Sequence, residues 1–176
     1  MPLPVVVSTG PAGGDSRARA LVCVQAYALL HGLERPPALT EGPHGKPETG
    51  GGLHLSVSHS GAVWACAVHT APVGLDIQQH RPGHDETGIA KRWFTPEEQG
   101  FLREHPEQFF DLWCAKEAWV KYTGLGLARG FKVASLVMNG ALLSALEGAQ
   151  RTRLGLAKGY TACLWHQAGA EIVTTK

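Results

Sequence analysis

The chain has 176 residues, a net charge of +1 and a pI near 7.8, with 22 glycines and 11 prolines. A domain of this length buries roughly 70% of its unfolded surface and needs no disulfide or metal staple. The near-neutral charge argues against a nucleic-acid or membrane-surface role. Cys23, Cys66, Cys114 and Cys163 lie far apart in apolar segments with no Cys-x-x-Cys pair, so they read as buried thiols, not a zinc framework. No apolar run approaches a membrane span, and Met1–Val7 lacks the basic start and the length of a signal peptide. The expectation is a soluble cytoplasmic protein.

In chain order, Val5–Ser8 reads as a short strand and Gly10–Gly14 as a loop. Residues 16–33 carry helical apolar spacing (Leu21, Val24, Ala28) that stops at Gly32. Residues 36–52, punctuated by Pro and Gly and containing His44-Gly45-Lys46-Pro47, predict a long loop. Three strands follow. Residues 53–58 alternate Leu53, Leu55 and Val57 against His54, Ser56 and Ser58. Residues 63–69 are small and apolar throughout, as in a strand covered on both faces. Residues 73–79 set Val73, Leu75 and Ile77 inward and Gly74, Asp76 and Gln78 on the opposite face.

Beyond Pro82-Gly83 the pattern turns helical. Thr95-Pro96-Glu97-Glu98 has the Thr cap, first-position Pro and third-position Glu of a helix start. His105-Pro106 opens a main helix expected to reach about Thr123, with Gly124 as its left-handed stop. Strand patterns resume at 131–138, then come the Asn139-Gly140 hairpin signal, 141–146, 151–156 and 160–166. Ala65-Cys66-Ala67-Val68-His69 echoes Ala162-Cys163-Leu164-Trp165-His166 at a constant offset of 97 positions, and Leu21 and Cys23 echo Leu112 and Cys114 at 91. These echoes suggest two similar units breaking near residues 80–82.

Chemistry gathers in four stretches. In the main helix Trp113, Glu117 and Lys121 share one stripe at i, i+4 and i+8, with Lys116 beside the carboxylate. A carboxylate and lysines so placed suit a divalent cation bound to a polyphosphate, although judged alone the stripe is better explained as an exposed Glu–Lys pair, which is common on helix surfaces. Asp76 and Gln78 project from one face of a strand and can offer oxygen donors to the same hard cation, although a strand-end carboxylate in solvent accounts for Asp76 equally well. The hydroxyls and imidazole of Ser56 to Gly61, with Ser58 and His59, could bind phosphate at a tight turn, although a lone His in a turn is more often a polar surface residue; Lys46 in the proline-glycine loop carries no weight by itself. Adjacent Ser-His-Ser residues cannot make a hydrolase triad, and the Pro82-Gly83 break spoils the helical spacing of His80 and His84 for a metal.

Taken in order and at these spacings, Gly45-Lys46-Pro47, Ser56–Gly61, Gly74-Leu75-Asp76-Ile77-Gln78, Trp93-Phe94-Thr95-Pro96-Glu97-Glu98 and Trp113-x-x-Lys116-Glu117-Ala118-x-x-Lys121 resemble the surfactin-synthetase-activating type of 4′-phosphopantetheinyl transferase over about residues 17–167. The resemblance implies an α+β fold of two pseudo-twofold related halves, 1–80 and 81–176, each a small antiparallel sheet with a long helix. Coenzyme A would bind in the cleft between them. It implies Mg²⁺-dependent transfer of phosphopantetheine from coenzyme A to a serine of an acyl or peptidyl carrier protein. A duplicated chain can supply both sides of its own cleft, so a monomer is the expectation. Asp76, Gln78 and Glu117 match the metal-binding positions. Glu117, Lys121 and Asp76 match the catalytic ones, and Lys46, Ser58, His59, Lys116 and Lys121 match those that hold coenzyme A.

The sequence departs from that pattern in two places. Gln78 stands where many members carry a second carboxylate, which removes a charge from the metal site. The N-terminal portion is short, and residues 18–31 offer Arg19 alone as a basic group. These departures leave a non-catalytic module that binds coenzyme A or a carrier protein as the alternative. A metal-dependent phosphohydrolase would account for the carboxylates but not for the Lys46 and His59 stretches.

Overall fold

The computed structural model describes residues 3–36 and 38–176. Met1, Pro2, Pro37 (within the expected 36–52 loop) and the side chain of His44 lie outside the described residues. Strand β1 (Val5–Pro11) leads to Asp15, whose carboxylate accepts from the N–H groups of Arg17 and Ala18 and so caps helix α1 (Ser16–Leu30). The long loop holds short strands β2 (Thr40–Glu41) and β3 (Pro47–Glu48) around a 3-10 turn at Pro43–Gly45. The three patterned strands follow as β4 (His54–Ser60), β5 (Val63–His69) and β6 (Gly74–Gln79).

Helix α2 (Glu86–Trp93) precedes α3 (Pro96–Glu104), which opens on a complete capping box. There the Glu98 N–H donates to Thr95 Oγ1 at 3.3 Å, and the Thr95 N–H donates to Glu98 Oε2 at 2.9 Å. Pro106–Gln108 form a 3-10 turn, so α4 (Phe109–Thr123) begins slightly later than its sequence signal and stops at Gly124 with φ 70°.

Residues 131–133, expected to open a strand, instead finish helix α5 (Leu127–Val133). Packing decides this against local β propensity. Gly130 sits against Val120, where a Cβ would collide, and Phe131 is fully buried among Trp93, Phe94 and Trp113. Strands β7 (Val137–Met138) and β8 (Ala141–Leu142) flank Asn139-Gly140, whose φ values of 54° and 71° bear out the hairpin signal. The chain ends in β9 (Ala145–Leu146), β10 (Ala149–Leu154), β11 (Tyr160–Gln167) and β12 (Ile172–Thr175). The last of these was not expected.

This is a mixed α+β fold in which two four-stranded sheets, ordered β12-β1-β5-β4 and β6-β11-β10-β9, lie face to face with a helix on each outer side. Alternation along the central strands builds the layers. On β5, Trp64, Cys66 and Val68 face α1, while Ala65 and Ala67 meet Leu75, Ile77, Ala162 and Leu164 of the second sheet. On β11, Cys163 and Trp165 face α4. The polar face of β4 is therefore interior too: Ser56 and Ser58 are buried, where the alternation alone leaves that face free to meet solvent. None of the helices among the described residues is long and apolar enough to cross a membrane.

Helix α4 lies directly on β6 at Gly74, where a Cβ would collide with the Ala118 carbonyl oxygen and the Tyr122 backbone nitrogen. Overpacking at a backbone-to-backbone contact costs about 1–3 kcal/mol or more. Gly74→Ala should therefore lower the melting temperature by about 2–12 °C for a domain of this size. An unchanged melt would mean that helix and strand can part without loss.

Candidate active site

The close approach at Gly74 brings the next residue of that strand face, Asp76, under the last turns of α4. Its carboxylate is buried yet fully partnered. Lys121 Nζ donates to Oδ1 at 2.8 Å and Ser58 Oγ donates to the same oxygen at 3.0 Å, while Gln78 Nε2 donates to Oδ2 at 2.7 Å. Lys121 Nζ also donates to the Leu75 carbonyl at 3.0 Å. Burial alone would pull the Lys121 ammonium down, but Asp76 and Glu117 beside it hold it above the ordinary lysine range.

Glu117, one turn before Lys121, faces the same space. Burial, then the charge of Asp76, push its carboxyl up to about 8, with Lys121 partly offsetting both. A cavity of about 490 Å³ runs from Glu117 and Lys121 past Val57 to Lys46 and Pro43 in the loop and to Gly124. A second, of about 250 Å³, shares Glu117, Lys121 and Val57 and continues to Ser58, His59, Asp76 and Gln78. Lys46 crosses between the loop and the helix: its Nζ donates to the Lys121 carbonyl at 2.7 Å, leaving further ammonium protons for a ligand. Burial, and more weakly Lys121, lower its pKa, with Glu48 pulling the other way.

The strand edge that carries Asp76 is closed by hydroxyls. The N–H groups of Leu75, Ile77 and Gln79 donate to Ser56, Ser58 and Ser60 Oγ at 2.9, 3.1 and 3.0 Å. The alternation of three serines on one strand was the available signal for this ladder.

Of the sequence candidates, the structure brings together Asp76, Gln78, Glu117, Lys121, Lys46, Ser58 and His59 around these two joined cavities. Lys116 is not among them. Its ammonium is sealed from solvent and donates to Glu98 Oε1 and Oε2 at 2.8 and 2.7 Å and to the Ala134 carbonyl at 3.1 Å. One helix position from Glu117 is a turn of about 100°, and this carries Lys116 off the cavity-facing side of α4. Trp113 also leaves the cavity side, packing against Phe131 and stacking on Phe109. Gln78 presents its amide nitrogen to Asp76 and so orients that carboxylate in this geometry.

The donor set fits a magnesium ion. Burial, then the charge of Asp76, raise the Glu117 pKa; the repulsion between the two carboxylates is what a divalent cation relieves, and both offer hard oxygens. Among the described residues no three His, Cys, Asp or Glu side chains cluster, so much of the coordination sphere would fall to substrate and water.

The model of the 4′-phosphopantetheinyl transferase superfamily matches residues 72–173, which include the Asp76 strand and all of α4. The chain belongs to the 4′-phosphopantetheinyl transferase superfamily. It is 38% identical over 112 residues to a 4′-phosphopantetheinyl transferase of Bacillus subtilis, covering 58% of this chain and 49% of that relative. It is 40% identical over 96 residues to the 4′-phosphopantetheinyl transferase HetI of Nostoc sp. (strain PCC 7120), covering 48% and 40% of the two. Against the 4′-phosphopantetheinyl transferase Sfp of Bacillus subtilis (strain 168) the values are 38% over 80 residues, covering 43% and 35%. The chain thus spans about half or less of the length of the relatives it matches. Asp76, Glu117 and Lys121 of this transferase-superfamily member lie inside the matched region, while Lys46, Ser58 and His59 lie before it.

Proposed function

We propose that this chain transfers the 4′-phosphopantetheine group of coenzyme A to a serine hydroxyl of an acyl or peptidyl carrier protein. The observation that carries the reading is the convergence of Asp76, Glu117 and Lys121 on one cavity that reaches a loop lysine. Asp76 and Glu117 would hold Mg²⁺, with Gln78 beside them. Bound there, the metal supplies charge neutralisation for the pyrophosphate and a Lewis acid at the reacting phosphorus. Glu117 accepts the serine proton as the serine oxygen attacks the β-phosphorus of coenzyme A. The bond to adenosine 3′,5′-bisphosphate breaks, and Lys121 stabilises the charge that gathers on this leaving group.

Lys46 and His59 hold the nucleotide end, away from the bonds that change. Such contacts persist from ground state to transition state, so Lys46→Ala and His59→Ala should raise the KM for coenzyme A about tenfold and change kcat much less. Calorimetry finding equal coenzyme A affinity in mutant and parent would remove both residues from the nucleotide site.

Two related halves, 1–80 and 81–176, forming one monomer with the ligand between them, are part of the same proposal. Supporting it, the 97-position spacing that joins β5 to β11 also carries Gly74–Gln79 onto 171–176, where β12 lies. His69 and His166, equivalent under that spacing, are both buried and bonded to backbone carbonyls. Each half would then lend one strand to the other's sheet: β6 pairs with β11, and β12 with β1.

The test is to incubate the protein with coenzyme A, Mg²⁺ and an unmodified carrier protein and to weigh the carrier. A gain of one phosphopantetheine group is the expected result. Coenzyme A binding with no mass gain would overturn the transferase in favour of a non-catalytic binding module.

A further inference from the structure

We propose that Ser58 is a positioning residue for Asp76: its hydroxyl aims the metal-binding carboxylate and is not free to hold the coenzyme A phosphate. This inference rests on the transferase reading of the site.

A serine hydroxyl carries one proton. Here Ser58 gives that proton to Asp76 Oδ1 at 3.0 Å while its oxygen accepts the Ile77 N–H at 3.1 Å. The side chain is thus held at both ends of the residue it serves, by the backbone just after Asp76 and by the Asp76 carboxylate. It is also buried, so no water stands by to replace either bond. Donating to a phosphate would require breaking the contact with Asp76.

The neighbouring serines separate this role from simple strand support. Ser56 and Ser60 accept the Leu75 and Gln79 N–H groups in the same way, at 2.9 and 3.0 Å. Ser58 differs from them in the additional bond to the carboxylate. All three hydroxyls lock the free edge of β6 onto β4, and one of them extends the lock to the side chain that the chemistry uses. With Oδ1 shared by Ser58 and Lys121, and Gln78 on Oδ2, the plane of the carboxylate is set by three donors from three different residues. Second-layer partners of this kind typically contribute 10- to 100-fold in metal affinity.

The experiment compares Ser58→Ala with Ser56→Ala in three measurements. Each change strands one buried N–H, so both variants should melt about 2–10 °C below the parent. Coenzyme A titrated by calorimetry in the presence of EDTA should bind Ser58→Ala within about twofold of the parent, because no phosphate contact is lost. Mg²⁺ titrated into each protein with saturating coenzyme A should bind Ser58→Ala about 10- to 100-fold more weakly and Ser56→Ala about as the parent does. Coenzyme A affinity falling in EDTA with Mg²⁺ affinity unchanged would make Ser58 a phosphate ligand and overturn the inference. So would equal Mg²⁺ losses in the two variants, which would reduce Ser58 to strand support. A parent that binds Mg²⁺ but transfers nothing would overturn the transferase reading while the metal comparison still decides the role of Ser58.

Discussion

Glu117→Gln should keep the fold and lose most of the transfer, because an amide can neither take the serine proton nor neutralise a cation. General-base contributions run about 10²- to 10⁴-fold, and the metal defect adds to them. The same substitution should change how stability depends on pH. In the metal-free protein burial, then Asp76, raise Glu117 to about 8 from an ordinary 4.5. Between those values the native state keeps a proton that the unfolded chain has released, so its stability is complete below about 4.5, falls as pH rises through the window and levels off above about 8. Each pKa unit corresponds to about 1.4 kcal/mol, so the charge costs on the order of a few kcal/mol at pH 8. The Gln variant escapes that loss. It should melt above the parent at pH 8, and the gap should close toward pH 4 and shrink when Mg²⁺ is added. Near-parental transfer by Glu117→Gln would sink the mechanism, and parallel melting curves at both pH values would show that Glu117 is ionised without cost.

Lys116→Met should have the largest effect on stability and little on ligand binding, although this lysine adjoins Glu117 in the chain. Its three ammonium protons are taken by the Glu98 oxygens and the Ala134 carbonyl, and Glu98 in turn accepts from the Thr95 and Leu136 N–H groups. One ion pair thereby ties the start of α3 and the segment after α5 to α4, fixing the rotation of the helix that carries Glu117 and Lys121. Burial lowers the Lys116 pKa, with Glu98 opposing. Removing one partner of such a pair costs about 3–5 kcal/mol, because the other charge is left buried and alone. That corresponds to a fall in melting temperature of about 6–20 °C. Adding Glu98→Gln should return part of it, since the amide leaves no bare charge. If Lys116→Met instead melted normally and lost coenzyme A affinity, the lysine would return to the ligand site.

The legible parts of this fold were those in which local chemistry and tertiary packing agree. Thr95 to Glu98 form their cap from adjacent residues, Asn139-Gly140 turn where only positive φ fits, and β5 is apolar because both faces are covered. At the site, periodicity put Asp76 on one strand face and Glu117 with Lys121 on one helix stripe, and the family resemblance of the ordered motifs brought the three together. The misjudged parts depend on distant partners. Phe131 is helical because an aromatic cluster from α2 and α4 receives it there, and β12 forms because β1 offers it an edge. The position of Lys116 was readable from helix geometry, which sets it about 100° from Glu117, but the partner that explains it, Glu98, stands 18 residues earlier.

The pairing of β1 with β12 sets Val5 beside Ile172, nearly the whole chain apart. Closing so long a loop must precede any reward from the contacts it makes, and such non-local pairings slow folding. During synthesis β6 has no partner strand until β11 emerges, and β1 lacks one of its two neighbours until β12 follows. The strand bearing Asp76, held on one edge by the serines of β4, therefore waits with its β11-facing edge open until β11 is made, when pairing with another nascent chain competes with its own sheet.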